Sequence, residues 1–202
     1  FAALIKDFVE SEHSEHFNIG RYALKLSDFT KNYFPQDRFA HELCLLETAI
    51  SQLTDPEETE ALTPERLQHL TPDALLASTL KPRTALQLRA FSYPVNAYYR
   101  AINPAQTPVP PPVEVSYLAV FRHDDIVWRM DLDEQEYRML EMLFGGCSIG
   151  EALNKLMQAF PQEEAALSEK LSGWFARWMR NHLLSNIESN MKAYKGDTHE
   201  AA

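Results

Sequence analysis

The sequence predicts an α+β protein: an N-terminal helical domain (residues 1–101), a proline-rich linker (102–113), a C-terminal winged-helix-like domain (114–189) and a polar tail (190–202). Three observations predict it. Two strand-like runs stand next to each other, three helical apolar patterns follow them, and a cluster of prolines precedes them.

The first run is Val115–Arg122 and the second Ile126–Leu132, both rich in β-branched and aromatic residues. In the second, Ile126, Trp128, Met130 and Leu132 alternate with Val127, Arg129 and Asp131, as a half-buried strand requires. The short polar connector His123-Asp124-Asp125 makes the pair an antiparallel hairpin. Tyr137, Leu140, Leu143 and Phe144 then recur at helical spacing, and Gly145-Gly146 stops that helix. Ser148 and Glu151 have the spacing of a capping box, opening a helix that carries Leu153, Leu156, Met157 and Phe160 up to Pro161. A third helix places Leu167, Leu171, Trp174, Trp178 and Leu183 on one face.

Upstream, Leu4, Ile5, Phe8 and Val9 form one apolar pattern, and Tyr22, Leu26 and Phe29 form another after a polar break. That break, Glu12-His-Ser-Glu-His16, has two imidazoles and two carboxylates at close spacing. No second pair of ligands elsewhere completes a metal site, so a solvated connection is the reading. Phe39, Leu43, Leu46, Ile50 and Leu53 line one face of the strongest helix of this half, with Asp37 at its expected cap and His41, Glu42 and Glu47 on other faces. Thr63-Pro64 and Thr71-Pro72 each put a capping side chain before a proline at the first helical position. Leu86, Leu88 and Ala90 alternate with Gln87 and Arg89, which favours a strand that extends the later sheet. Tyr93-Pro94 opens a further helical stretch with Tyr98, Tyr99 and Arg100. Five prolines between Pro104 and Pro112 then enforce extended geometry.

Hydrophobic residues make up 45% of the 202, enough for a real core. No apolar run approaches a membrane span and nothing at the start resembles a signal peptide, but the chain begins on Phe1 rather than Met, which leaves room for residues, including a removed targeting segment, upstream of it. Cys44 and Cys147 share no motif, so free thiols and a cytoplasmic location are expected. Cys44 lies beside the apolar stripe of its helix and reads as a packing residue. A formal charge of −10 speaks against nucleic acid as the main partner, because phosphate binding rests on clustered Lys and Arg. The sequence carries no glycine-rich phosphate loop and no CxxC pair. A binding module fits better than an enzyme.

Two partners compete for the hairpin module. If it read DNA, the helix from Gln162 would enter the groove, yet its first turn carries Glu163 and Glu164. A DNA-binding transcription regulator is therefore the alternative reading. Strand addition by a peptide suits the residues better: Ile126, Val127, Trp128, Arg129 and Met130 would supply the edge, and Leu171, Trp174 and Trp178 the groove wall. The opposing reading of those aromatics is that they are the domain's own core.

The hairpin, the Leu143-Phe-Gly-Gly146 break and Ser148-Ile-Gly-Glu-Ala-Leu153 resemble peptide-recognition domains of the PqqD type. Leu43-Cys-Leu-Leu-Glu47, Phe91-Ser-Tyr-Pro-Val-Asn-Ala-Tyr-Tyr-Arg100, Tyr117–Arg122 and Gly146–Leu153 extend the likeness over most of the chain. Together they resemble the MbnC/HvfC–BufC family, long labelled as DNA-binding. The first part of the longer members' helical domain has no counterpart here, which favours an MbnC-like assignment. The resemblance implies a non-catalytic subunit in a heterodimer with an MbnB-like iron-containing TIM-barrel oxidase. The subunit would bind the leader of a ribosomally made precursor peptide. The partner would rebuild the peptide's cysteines, in the methanobactin case to oxazolone–thioamide groups. It also implies no cofactor in this chain, the iron belonging to the partner; the acidic charge, by itself, argues against nucleic acid or an anionic membrane as the partner.

Overall fold

The computed structural model describes residues 2–13, 22, 25–33, 37–54, 57, 59–102, 109–162 and 164–189. The described elements run α1 (Ala2–Ser11), α2 (Leu26–Tyr33), α3 (Arg38–Gln52), a 3-10 turn (Pro64–Arg66), α4 (Pro72–Ala77), β1 (Ser78–Pro82), β2 (Leu86–Phe91) and α5 (Val95–Ala101). Then come β3 (Ser116–His123), β4 (Ile126–Leu132), α6 (Glu134–Phe144), α7 (Ile149–Ala159), α8 (Glu164–Arg180) and β5 (Leu184–Ser189). The fold is α+β, with small antiparallel sheets.

Contacts divide the chain into two compact units, Phe1–Glu58 with Thr84–Tyr137, and Thr59–Arg83 with Arg138–Ala202. This grouping differs from the boundaries read along the sequence. The hairpin falls with the N-terminal helices, while α7 and α8 fall in the other unit with β1 and β5. The proline-rich linker is only partly described, because residues 103–108 lie outside the described residues, as does the tail from residue 190.

The first unit is built on a three-stranded antiparallel sheet in the order β2-β3-β4. The strand expected from the Leu86–Ala90 alternation, within the ambiguous stretch Leu80–Phe91, does extend the hairpin's sheet, pairing Leu88 with Ala119 and Leu86 with Phe121. Antiparallel partners point to the same side, so Phe91, Leu118, Val120 and Val127 share one face. That face packs with the apolar stripe of α3 (Phe39, Leu46, Ala49, Leu53) and with Val95 of α5. Leu46 is fully buried there, which stabilises the unit by about 1.5–3 kcal/mol. α3 starts where predicted: Asp37 accepts the Ala40 N–H at 3.0 Å. Ahead of it, Phe8 of α1 meets Phe29 of α2 edge-on at 5.4 Å.

The second unit pairs β1 with β5, an antiparallel ribbon joining residues more than a hundred positions apart, such as Leu80 with Ile187. β5 is absent from the sequence-based expectation, which carried the last helix on to Leu183. The helix stops at Arg180 instead. His182 takes a left-handed φ of 54°, its N–H reaches Met179 O at 3.1 Å, and the Leu183 N–H reaches Trp178 O at 3.0 Å. That is a Schellman stop with histidine in place of the usual glycine. The stop after α6 follows the same rule, with Gly146 at φ 96° and Cys147 N–H on Met142 O. Ser148 and Glu151 form the expected reciprocal capping box at the start of α7. Gly150 lets α7 approach α4, since a Cβ there would lie 3.2 Å from the Leu76 carbonyl oxygen. Thr71 caps α4 as predicted, whereas Thr63 makes no side-chain cap bond at the 3-10 turn.

Candidate functional site

The hairpin loop consists of Asp124 and Asp125, both left-handed at φ 51° and 60°, which is type I′ geometry. A two-residue loop makes the flanking His123–Ile126 pair hydrogen-bonded, and antiparallel alternation then assigns Phe121–Trp128, Ala119–Met130 and Tyr117–Leu132 the same status. The Arg122 N–H agrees with that phase, donating at 2.9 Å to Ala85 O on the β2 side. It follows that Val127, Arg129 and Asp131 turn their N–H and C=O groups away from β3. β4 is an edge strand of its sheet, so these groups face outward from it.

Side chains around this edge have two characters. Ile126 and Trp128 are 54% and 50% exposed on the face opposite α5. Trp128 donates only a long indole N–H bond, 3.4 Å to His123 O. On the other face Val127 packs against the core. Arg129 donates from Nε to Asn96 Oδ1 at 3.0 Å, with its guanidinium carbon 4.6 Å from the Tyr99 ring centre. Asp131 accepts from Asn96 Nδ2 at 2.8 Å and pairs with Arg100 at 3.4 Å. Met130 is half-buried. A helix therefore does stand beside β4 within its own unit, and it is α5.

The groove wall expected from α8 fares differently. Leu171, Trp174 and Trp178 belong to the second unit, whereas β4 belongs to the first. Trp174 and Trp178 are 5% and 0% exposed, nearly parallel at 16° with ring centres 6.4 Å apart, and Phe175 lies 4.9 Å from Trp178. Leu171 is half-buried. The two tryptophans pack as core and leave no ring face for a peptide, because α8 turns its apolar stripe inward. Asn96, Tyr99 and Arg100 are the residues the sequence reading missed in this role. Their signal was the aromatic cluster after Pro94, which carries no periodicity that points to β4.

Other chemistry singled out by sequence takes structural roles. Cys44 is buried, and burial pushes its thiol above the ordinary range, opposed in part by a hydrogen bond to Thr30. Cys147 is half-buried, with Lys155 Nζ at 3.2 Å from Sγ. In the Glu12–His16 run, Glu12 pairs with Lys25 at 3.9 Å; residues 14–16 lie outside the described residues. Among the described residues no group of three or more His, Cys, Asp or Glu could hold a metal ion. Nor is any described helix long and apolar enough to cross a membrane.

Compared with protein-family models and with curated proteins, the chain matches none.

Proposed function

We propose that this chain is the non-catalytic, peptide-binding subunit of a heterodimer with an iron-containing TIM-barrel oxidase. The leader of a cysteine-containing precursor peptide adds as a strand to β4, and the partner modifies the core. The observation that carries the reading is the open edge of β4, where Val127, Arg129 and Asp131 direct main-chain donors and acceptors outward. Half-exposed Trp128 and Ile126 flank that edge on one face, and α5 on the other. Strand addition needs both features: the ladder supplies affinity and alternate side chains supply specificity. The net charge of −10 further supports a protein or peptide partner over nucleic acid. Relative to the sequence-based expectation, the wall of the groove moves from α8 to α5.

Co-expression with the oxidase and precursor peptide encoded beside this chain, followed by size exclusion and metal analysis, tests the assignment. A one-to-one, iron-containing complex that engages the peptide supports it. A monomer that ignores both overturns it.

A further inference from the structure

A second recess of the first unit has a different chemistry. It is a cleft of about 440 Å³ lined by Lys31 of α2, Arg38, His41, Glu42 and Leu45 of α3, and Ala90 and Phe91 of β2. That volume falls in the range of small-ligand sites. Its floor is fixed by Glu42, whose side chain is only 7% exposed. Oε2 accepts the Ser92 and Tyr93 N–H groups at 2.8 and 3.1 Å, and Oε1 accepts Arg38 Nε at 3.0 Å. All three bonds engage the carboxylate. One of them also ties Arg38 through Nε while the arginine side chain remains 69% exposed, leaving both Nη groups outside that bond. Such a fork suits a planar, two-oxygen acceptor. Lys31 adds an exposed ammonium, and His41 contributes a ring whose Nδ1 lies 3.4 Å from Thr30 Oγ1.

The charges on the lining select among anions. Lys31 and Arg38 contribute two positive charges and Glu42 one negative, so these three side chains together carry one net positive charge. One net charge matches a monocarboxylate and undercompensates a phosphate dianion. Leu45, Ala90 and Phe91 complete the lining with apolar surface, which rewards a hydrocarbon body attached to the anion. In a chain of net charge −10, a cationic, partly apolar recess is against the prevailing field.

We infer that the cleft between α2, α3 and β2 binds a carboxylate carried on an apolar body, either a small organic acid or the C-terminal residue of a peptide chain. The inference does not depend on β4 or on the oxidase partner.

Titration of the full chain with hydrocinnamate, its neutral amide and inorganic phosphate, followed through backbone amide shifts, tests it. Hydrocinnamate should give saturable shifts at Arg38, His41, Ala90 and Phe91, with the amide and phosphate weaker. Arg38→Gln should weaken binding about tenfold, the loss expected for a charge-assisted hydrogen bond, and Arg38→Lys should restore part of it. Lys31→Gln, which leaves Glu42 and its partners intact, carries the test if Arg38→Gln unfolds. Equal shifts with the amide, stronger binding of phosphate, unchanged affinity in both glutamine variants, or no saturable response would each overturn the inference. Peptides ending in phenylalanine, with a free or amidated C-terminus, separate the two sources. Tighter binding of the free-acid peptide than of hydrocinnamate assigns the site to a chain terminus. Binding of hydrocinnamate alone assigns it to a small acid.

Discussion

Asn96 stands between Arg129 and Asp131, accepting from the first at 3.0 Å and donating to the second at 2.8 Å. One buried amide on α5 thus reads two successive same-face residues of β4, using its carbonyl for the cation and its amino group for the anion. The match fixes how α5 lies along the strand and holds the charged side chains of an edge strand to one side.

Removing that amide should loosen the edge without unfolding the unit. Asn96 is 2% exposed, so Asn96→Ala strips hydrogen bonds from two charged groups and should cost about 1–3 kcal/mol. Denaturant unfolding checks the value. A change within experimental scatter would mean that Arg129 and Asp131 re-pair with each other at no cost.

Trp128→Ala should separate stability from binding. Half of the ring is already in water and its one hydrogen bond is long, so unfolding should shift by less than about 1 kcal/mol. Leader affinity should fall by roughly tenfold if the exposed ring packs on the added strand. Calorimetric titration reads this directly, and equal affinity would remove Trp128 from the site.

Val127→Pro and Arg129→Pro should weaken leader binding more than any substitution confined to a side chain, because each deletes an outward ladder donor and distorts the edge. Folding is monitored by circular dichroism. Unchanged affinity in a folded variant would count against β4 as the docking edge.

The two cysteines should separate under alkylation. Only the thiolate reacts, and burial raises the Cys44 thiol above its ordinary value, whereas Cys147 is half-buried beside Lys155. Iodoacetamide followed by mass spectrometry should label Cys147 first in the folded protein. The sign of the linkage is set by the raised value: the fold favours the protonated Cys44. Its contribution is complete below the ordinary thiol range and is lost as pH rises through the folded value. Equal labelling rates would contradict the placement of Cys44.

The sequence was most informative where a local rule dictates the geometry. Asp37, Thr71, the Ser148–Glu151 box and Gly146 each act through groups a few residues away, so spacing alone locates them. The alternation of β4 was equally legible, but its burial was not. Ile126 and Trp128 near its start are exposed while Leu132 on the same face is buried, and Val127 on the opposite face packs against the core. The β1–β5 pairing escaped altogether. β5 pairs with β1 across more than a hundred residues, and nothing in Leu184–Ser189 alone distinguishes a strand from a fraying end. The same reason hid the cleft: Lys31, Arg38 and Ala90 carry no common motif and meet only in the fold.

Hydrogen exchange at individual β4 amides, with and without the leader of the precursor peptide, tests the central claim most directly. The Val127, Arg129 and Asp131 amides should exchange quickly in the free protein and slow when the leader is added, while Trp128 and Met130, already bonded to β3, should change little. Unchanged exchange at those three amides under saturating peptide would contradict strand addition at this edge.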